Sequence, residues 1–89
     1  MEDADLRLDG NAAGGLLGEI FVQEVTTAVS TCAACGTRAE VAAVHVYAHA
    51  PGMVLRCPRC EAVLMRIVQA DGRLWLDITG MRCLELRTA

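Results

Sequence analysis

Lysine is absent from this 89-residue chain, and phenylalanine, tryptophan and tyrosine occur once each. All eight basic residues are arginine, which together with the many alanines and glycines reads as a high-GC coding bias without functional weight. The scarcity of aromatics means that any core must be built from Leu, Val, Ala and Ile. No long apolar run is present either. The longest, Ala12 to Val22, is interrupted by three glycines and Glu19 and falls short of the ~20 residues that span a bilayer. The first residues are acidic where a secretory signal is basic and then apolar, so no membrane role and a cytoplasmic location are expected. A Ser-His-Asp arrangement, a phosphate-cradling glycine loop and a paired-carboxylate site are all missing, which argues against an enzyme.

What is present is an excess of aliphatic residues. The chain is 54% apolar with a mean hydropathy of +0.36, yet a domain this short buries only about 60% of its unfolded surface. Two consequences follow. The core needs a staple, and some aliphatic surface is expected to face a protein partner or a second copy of the chain. The net charge of −3 is unevenly spread. Residues 1–29 carry six acids against Arg7, and residues 30–89 carry seven arginines against five acids. Residues 1–10 therefore read as an acidic, flexible leader, and 11–89 as a single, mildly basic domain.

Along that domain, Asp9 or Asn11 can cap a helix over 11–24 with Leu17 and Phe21 on one side. Gly14, Gly15 and Gly18 each cost roughly 1 kcal/mol in a helix interior, but Gly14 and Gly18 lie four apart and would let another backbone approach. Gly14, Gly18, Leu17 and Phe21 are thus a candidate helix interface. Beyond Val25 the texture is β, with expected strands over 25–31, 40–48, 53–56, 63–69, 73–79 and 81–87. His49 to Gly52 reads as a turn around Pro51, and Asp71-Gly72 as a two-residue hairpin. In 73–79, Leu74, Leu76 and Ile78 alternate with Arg73, Trp75, Asp77 and Thr79, so one face is core. The preceding strand, with Leu64 and Val68 flanking Arg66 and Val63, Met65 and Ile67 opposite, reads as buried on both faces.

The strongest signal is a pair of CxxC motifs, Cys32-Ala-Ala-Cys35-Gly36 and Cys57-Pro58-Arg59-Cys60, with twenty-one residues between them. Two thiolates three apart on a tight turn can reach one ion at about 2.3 Å, and a second such turn completes a tetrahedron. In a reducing compartment this spacing favours metal over disulfide. Cys32, Cys35, Cys57 and Cys60 are accordingly expected to hold one Zn2+ per chain. A closed four-thiolate site leaves no position for substrate. The same ligands also bind iron, which is less favoured here because no glycine follows Cys60 and aromatics are few.

These halves, C-x-x-C-G and C-P-x-C, resemble the knuckles of the zinc-ribbon and rubredoxin-type superfamily. The run His45 to Gly52, with Leu55 to Cys60 and Trp75-Leu-Asp77 after it, is similar to a family of short uncharacterised actinobacterial zinc-ribbon proteins, over most of the chain from Leu8 to Leu86. That resemblance implies a ribbon fold and a metal site, and carries no activity with it.

Other residues have plainer readings. Cys83, in the last apolar segment, reads as a buried small hydrophobe. His45 and His49 flank Tyr47 on an extended run, and because four cysteines already satisfy an ion, they read as backbone-bonded histidines. Arg56, Arg59, Arg66 and Arg73, with Trp75, could form a partner or nucleic-acid surface, although a surplus of two positive charges is thin for phosphate binding. The sequence thus predicts a small β-rich zinc ribbon of three to five antiparallel strands with an N-terminal α-helix. Its expected role is that of a noncatalytic protein-interaction module, such as a small accessory subunit. The alternatives are a nucleic-acid-binding ribbon and a rubredoxin-like iron electron-transfer protein or redox-complex subunit.

Overall fold

The computed structural model describes residues 7–18, 25–49 and 52–87. They form eight strands: β1 (Arg7–Asp9), β2 (Val29–Cys32), β3 (Arg38–Glu40), β4 (His45–His49), β5 (Gly52–Arg56), β6 (Val63–Ala70), β7 (Arg73–Asp77) and β8 (Met81–Glu85). Two antiparallel sheets result, one of five strands in the order β1-β4-β5-β6-β7 and one of three in the order β3-β2-β8. The β-rich character follows the Val, Thr and Leu content of these segments.

The expected N-terminal α-helix over 11–24 does not form. Among the described residues the helical stretch here is a 3-10 turn, Gly10–Ala13, followed by a single α-turn, Gly14–Leu17. Asp9 is the cap, as its carboxylate accepts from the Asn11 NH at 3.0 Å, but what it caps is the 3-10 turn. Starting a helix fixes several residues for one hydrogen bond, and Gly14, Gly15 and Gly18 add about 1 kcal/mol each. The segment instead serves to bury Ala13 and Leu17. Residues 19–24, and with them Phe21, lie outside the described part of the chain.

Besides the passage from β1 to β2, two crossovers join the sheets. After β3, the 3-10 turn Val41–Ala43 carries the chain into the larger sheet, anchored by the Val41 NH donating to the Ala28 carbonyl at 2.9 Å and by complete burial of Val41 and Val44. Residues 78–80 lead back from β7 to β8, and Gly80 sits so close to β6 that a Cβ there would lie 1.8 Å from the Val63 carbonyl oxygen. The expected single strand over 40–48 is split by the first of these crossovers. The turn expected at His49 to Gly52 closes the β4–β5 hairpin with His49 opposite Gly52, and its central residues, Ala50 and Pro51, lie outside the described part.

The core gathers Leu17, Val25, Val46, Leu55, Leu64, Met65 and Ile67, and it includes Cys32 and Cys57. Burial on both faces of β6 holds only at its start, where Leu64 and Met65 are both buried, whereas Val68 is exposed. A register shift in the β5–β6 ladder, at Leu55/Arg56, lies beside this start. Among the described residues no helix is long and apolar enough to cross a membrane.

Candidate metal centre

Each cysteine pair sits on the turn that joins two strands of one sheet. Cys32 ends β2 and Cys35 lies in the turn to β3, while Cys57 follows β5 and Cys60 lies in the turn to β6. The two turns are built alike. In the first, the Gly36 NH donates to the Cys32 carbonyl at 2.9 Å and the Cys32 NH to the Thr37 carbonyl at 2.9 Å. In the second, the Glu61 NH donates to the Cys57 carbonyl at 3.0 Å and the Cys57 NH to the Ala62 carbonyl at 2.9 Å. A register shift stands beside each turn, at Thr31/Cys32 and at Leu55/Arg56, and such bulges re-aim side chains.

The four Sγ atoms come together, all within 4.8 Å of one another. Cys32 lies 3.7 Å from Cys60, and Cys35 lies 3.7 Å from Cys57. A tetrahedral ion with metal–sulfur bonds of about 2.3 Å has sulfur–sulfur edges of roughly 3.8 Å, so the donor set fits one metal ion. Tetrahedral sulfur suits zinc or iron. The Arg59 NH points at the Cys57 sulfur at 3.4 Å, a second-sphere contact of the kind that offsets thiolate charge.

Without an ion the cluster is electrostatically uneven. The Thr37 hydroxyl, 3.1 Å from the Cys35 sulfur, and then the Thr37 backbone bring the Cys35 thiol down to about 6. At Cys60 the Ala62 backbone NH acts downward, but desolvation and the thiols of Cys35, Cys32 and Cys57 outweigh it and push the group up to about 12. The two sulfurs are thus shifted in opposite directions. A metal ion held there would take all four sulfurs as thiolates.

The second turn departs from the first at one residue. Gly36 has φ +78°, in the left-handed region that glycine enters freely, and its counterpart Glu61 has φ +63°. That conformation costs a non-glycine residue roughly 1–2 kcal/mol. The Glu61 carboxylate is held in return, with Oε2 lying 2.7 Å from His45 Nδ1 and Oε1 accepting from the Tyr47 hydroxyl at 3.2 Å. Arg56 closes the group: its Nη1 donates to the Glu61 carbonyl at 2.9 Å and its guanidinium sits 5.7 Å from the centre of the Tyr47 ring.

Residues 2–89 match the model of a family of unknown function, DUF6510. The chain belongs to that family. No curated protein and no solved structure matches it significantly. Membership in DUF6510 brings no activity with it, so the chemistry rests on the residues themselves.

The other predicted positions scatter. Arg66, Arg73 and Trp75 share the outer face of the larger sheet with Asp77, which pairs with Arg66 in register. Arg59 is exposed on the second cysteine turn, and Arg56 is engaged by Glu61 and Tyr47. Of the proposed helix interface, Leu17 is fully buried in the chain's own core, Gly14 faces the Thr26 side chain and Gly18 is exposed. A backbone does approach a glycine closely, but at Gly10, where a Cβ would overlap the Val41 carbonyl. Cys83 is exposed on β8, apart from the four-sulfur cluster and not buried as its apolar neighbours suggest. His45 is bonded to a carboxylate rather than to backbone. Sequence reasoning passed over Glu61 and Thr37. The signal for Glu61 was there, since a residue other than glycine after Cys60 must fill a left-handed position.

Proposed function

We propose that the chain is a noncatalytic, zinc-stapled protein-interaction module that serves as a small accessory subunit. The observation that carries this reading is the closure of the site. Four sulfurs at tetrahedral edge distances occupy every position on an ion, leaving none for water or substrate. Two of the ligands, Cys32 and Cys57, are buried in the core, so the ion would act on the fold. Interaction is supported by apolar side chains that the fold leaves outside, namely Leu8, Val68, Trp75 and Ile78. A phosphate-binding role draws less support, because Arg56 is committed within the chain and Arg66 lies opposite Asp77.

The test is metal analysis with an absorption spectrum on untagged protein purified without added metal, followed by a native mass and a pull-down. The expected result is one zinc per chain, no visible band, and a mass or a captured partner that shows association. Iron with a visible charge-transfer band would replace this reading with electron transfer. A zinc-loaded monomer that binds no protein would remove the interaction role.

A further inference from the structure

Among the described strands, β7 has a neighbour on one side only. Its exposed edge can be read residue by residue. Asp71 (φ +53°) and Gly72 (φ +72°) form a two-residue turn between the register partners Ala70 and Arg73. In such a primed hairpin the residues flanking the turn are a hydrogen-bonded pair, and bonding then alternates along the ladder. Arg73, Trp75 and Asp77 therefore direct their backbone groups at β6, and Leu74 and Leu76 direct theirs away from the sheet. Within β7 there is no proline, no bulge and no charge on the core-facing side, and its two charges, Arg73 and Asp77, are of opposite sign. Such an edge is a template for another strand.

The side chains specify which strand. The segment Arg73-Leu74-Trp75-Leu76-Asp77 is self-complementary when read antiparallel against itself. We propose that β7 pairs with β7 of a second copy about a two-fold axis at Trp75, joining two five-stranded sheets into one of ten. In this register Arg73 faces the partner's Asp77 at both ends, and Leu74 faces the partner's Leu76. The Leu pairs are the hydrogen-bonded ones, so the outward NH and carbonyl groups of Leu74 and Leu76 are satisfied. The central pair is Trp75 with the partner's Trp75, at a position without backbone hydrogen bonds, where side chains come closest.

Several features fit this pairing and disfavour others. Trp75 is 51% exposed and its cross-strand neighbour Val68 36%, so the indole rings gain cover from each other and from Val68. Leu74 and Leu76 pack against the core while remaining half-exposed, and the second copy extends that core. The Asp77 carboxylate is already fixed, accepting from the Thr79 NH at 2.9 Å and the Thr79 hydroxyl at 2.7 Å, and with Arg66 opposite it on one side the partner's Arg73 would flank it on the other. Parallel pairing would set Arg73 against Arg73 and Asp77 against Asp77, which like-charge repulsion opposes. The edge of β8 lacks this symmetry, since pairing centred on Cys83 sets Met81 against Glu85 and Arg82 against Leu84. The contact is small, at the low end of interface sizes, so an association in the micromolar range is expected. The inference rests on the interaction reading above and names one surface and one partner for it.

The experiment is sedimentation equilibrium on the metal-loaded full chain at about 1 to 200 µM. Wild type is expected to shift from the 9.5 kDa chain toward twice that mass. Arg73→Asp places two acid pairs in the interface and Asp77→Arg two base pairs, so each variant alone should raise the dimer dissociation constant at least about tenfold. Mixing the two should restore the dimer, because both contacts in the mixed pair are again arginine to aspartate. A wild-type chain that stays monomeric across this range would overturn the dimer, and if it still captures a partner in the pull-down, the interaction reading survives. A dimer that Arg73→Asp leaves intact would move the interface elsewhere and likewise sink the β7 pairing. Arg73 is exposed and makes no described contact needed for the fold, so this arm stands even if Asp77→Arg, which loses the Thr79 bonds, folds poorly.

Discussion

The two cysteine turns share a backbone but not their second-sphere residues, and single positions account for the difference. Thr37 supports Cys35 through its hydroxyl, whereas the equivalent residue in the other turn is Ala62, which offers only backbone. With a metal bound, that hydroxyl donates to a ligating sulfur, so Thr37→Val should weaken metal affinity by about tenfold, as loss of such partners commonly does. Competition with a chromophoric chelator measures it. Glu61 makes a different test. Glu61→Ala keeps the left-handed strain and loses the bonds to His45 and Tyr47, whereas Glu61→Gly loses the bonds and relieves the strain. The alanine variant should therefore be less stable than the glycine variant by about 1 kcal/mol. Equal stability of the two in denaturant unfolding would mean that the left-handed backbone at this position is not costly.

At the scale of elements, the β6–β7 hairpin was legible because its pattern is local, whereas β1 and β3, three residues each, carry no such pattern. The alternation around Leu74 and Leu76 and the Asp71-Gly72 turn yield β6 and β7 with nearly the expected bounds. The four cysteines were legible for the same reason, since each pair is set by a three-residue spacing. The expected N-terminal helix fails because three glycines outweigh an apolar stripe at helical spacing, and the buried positions Ala13 and Leu17 need only one turn to reach the core. The separation into two sheets could not be read either. It depends on where the chain crosses, and a crossing shows only in what surrounds a residue such as Gly80. There a Cβ would lie 1.8 Å from the Val63 carbonyl oxygen and 2.7 Å from the Leu64 Cα, both backbone atoms that cannot step aside. Gly80→Ala should cost about 3 kcal/mol or more, by forcing the β7–β8 crossover off β6. Gly15→Ala is the matching control. A Cβ at Gly15 meets nothing within 4 Å, so that change should be neutral or stabilise by up to about 1 kcal/mol. Denaturant midpoints of the metal-loaded variants separate the two outcomes.

Over the whole molecule, the metal site lies where the two sheets depend on each other. One cysteine pair leaves β2 of the smaller sheet and the other connects β5 to β6 of the larger, so an ion held by all four sulfurs clamps sheet to sheet. The larger sheet from β4 to β7 is a series of hairpins with local contacts. The smaller sheet joins β2 to β8 across most of the domain and has less to hold it alone. Magnitudes decide what happens without the ion. Structural zinc in small domains contributes on the order of 10–16 kcal/mol, whereas the net stability of a whole domain is about 5–15 kcal/mol. Removal of the metal should therefore unfold both sheets together rather than loosen one, because Cys32 and Cys57 belong to the common core and their separation exposes Leu55, Leu64 and Met65 to water. Hydrogen exchange before and after adding a strong chelator tests this, with Cys57→Ser as the genetic counterpart. The expected result is loss of protection in β5 and β6 at the same chelator concentration as in β2. Protection that persists from β4 to β7 after β2 and β8 have opened would show the hairpin sheet to be self-supporting, with the metal holding only the smaller sheet against it.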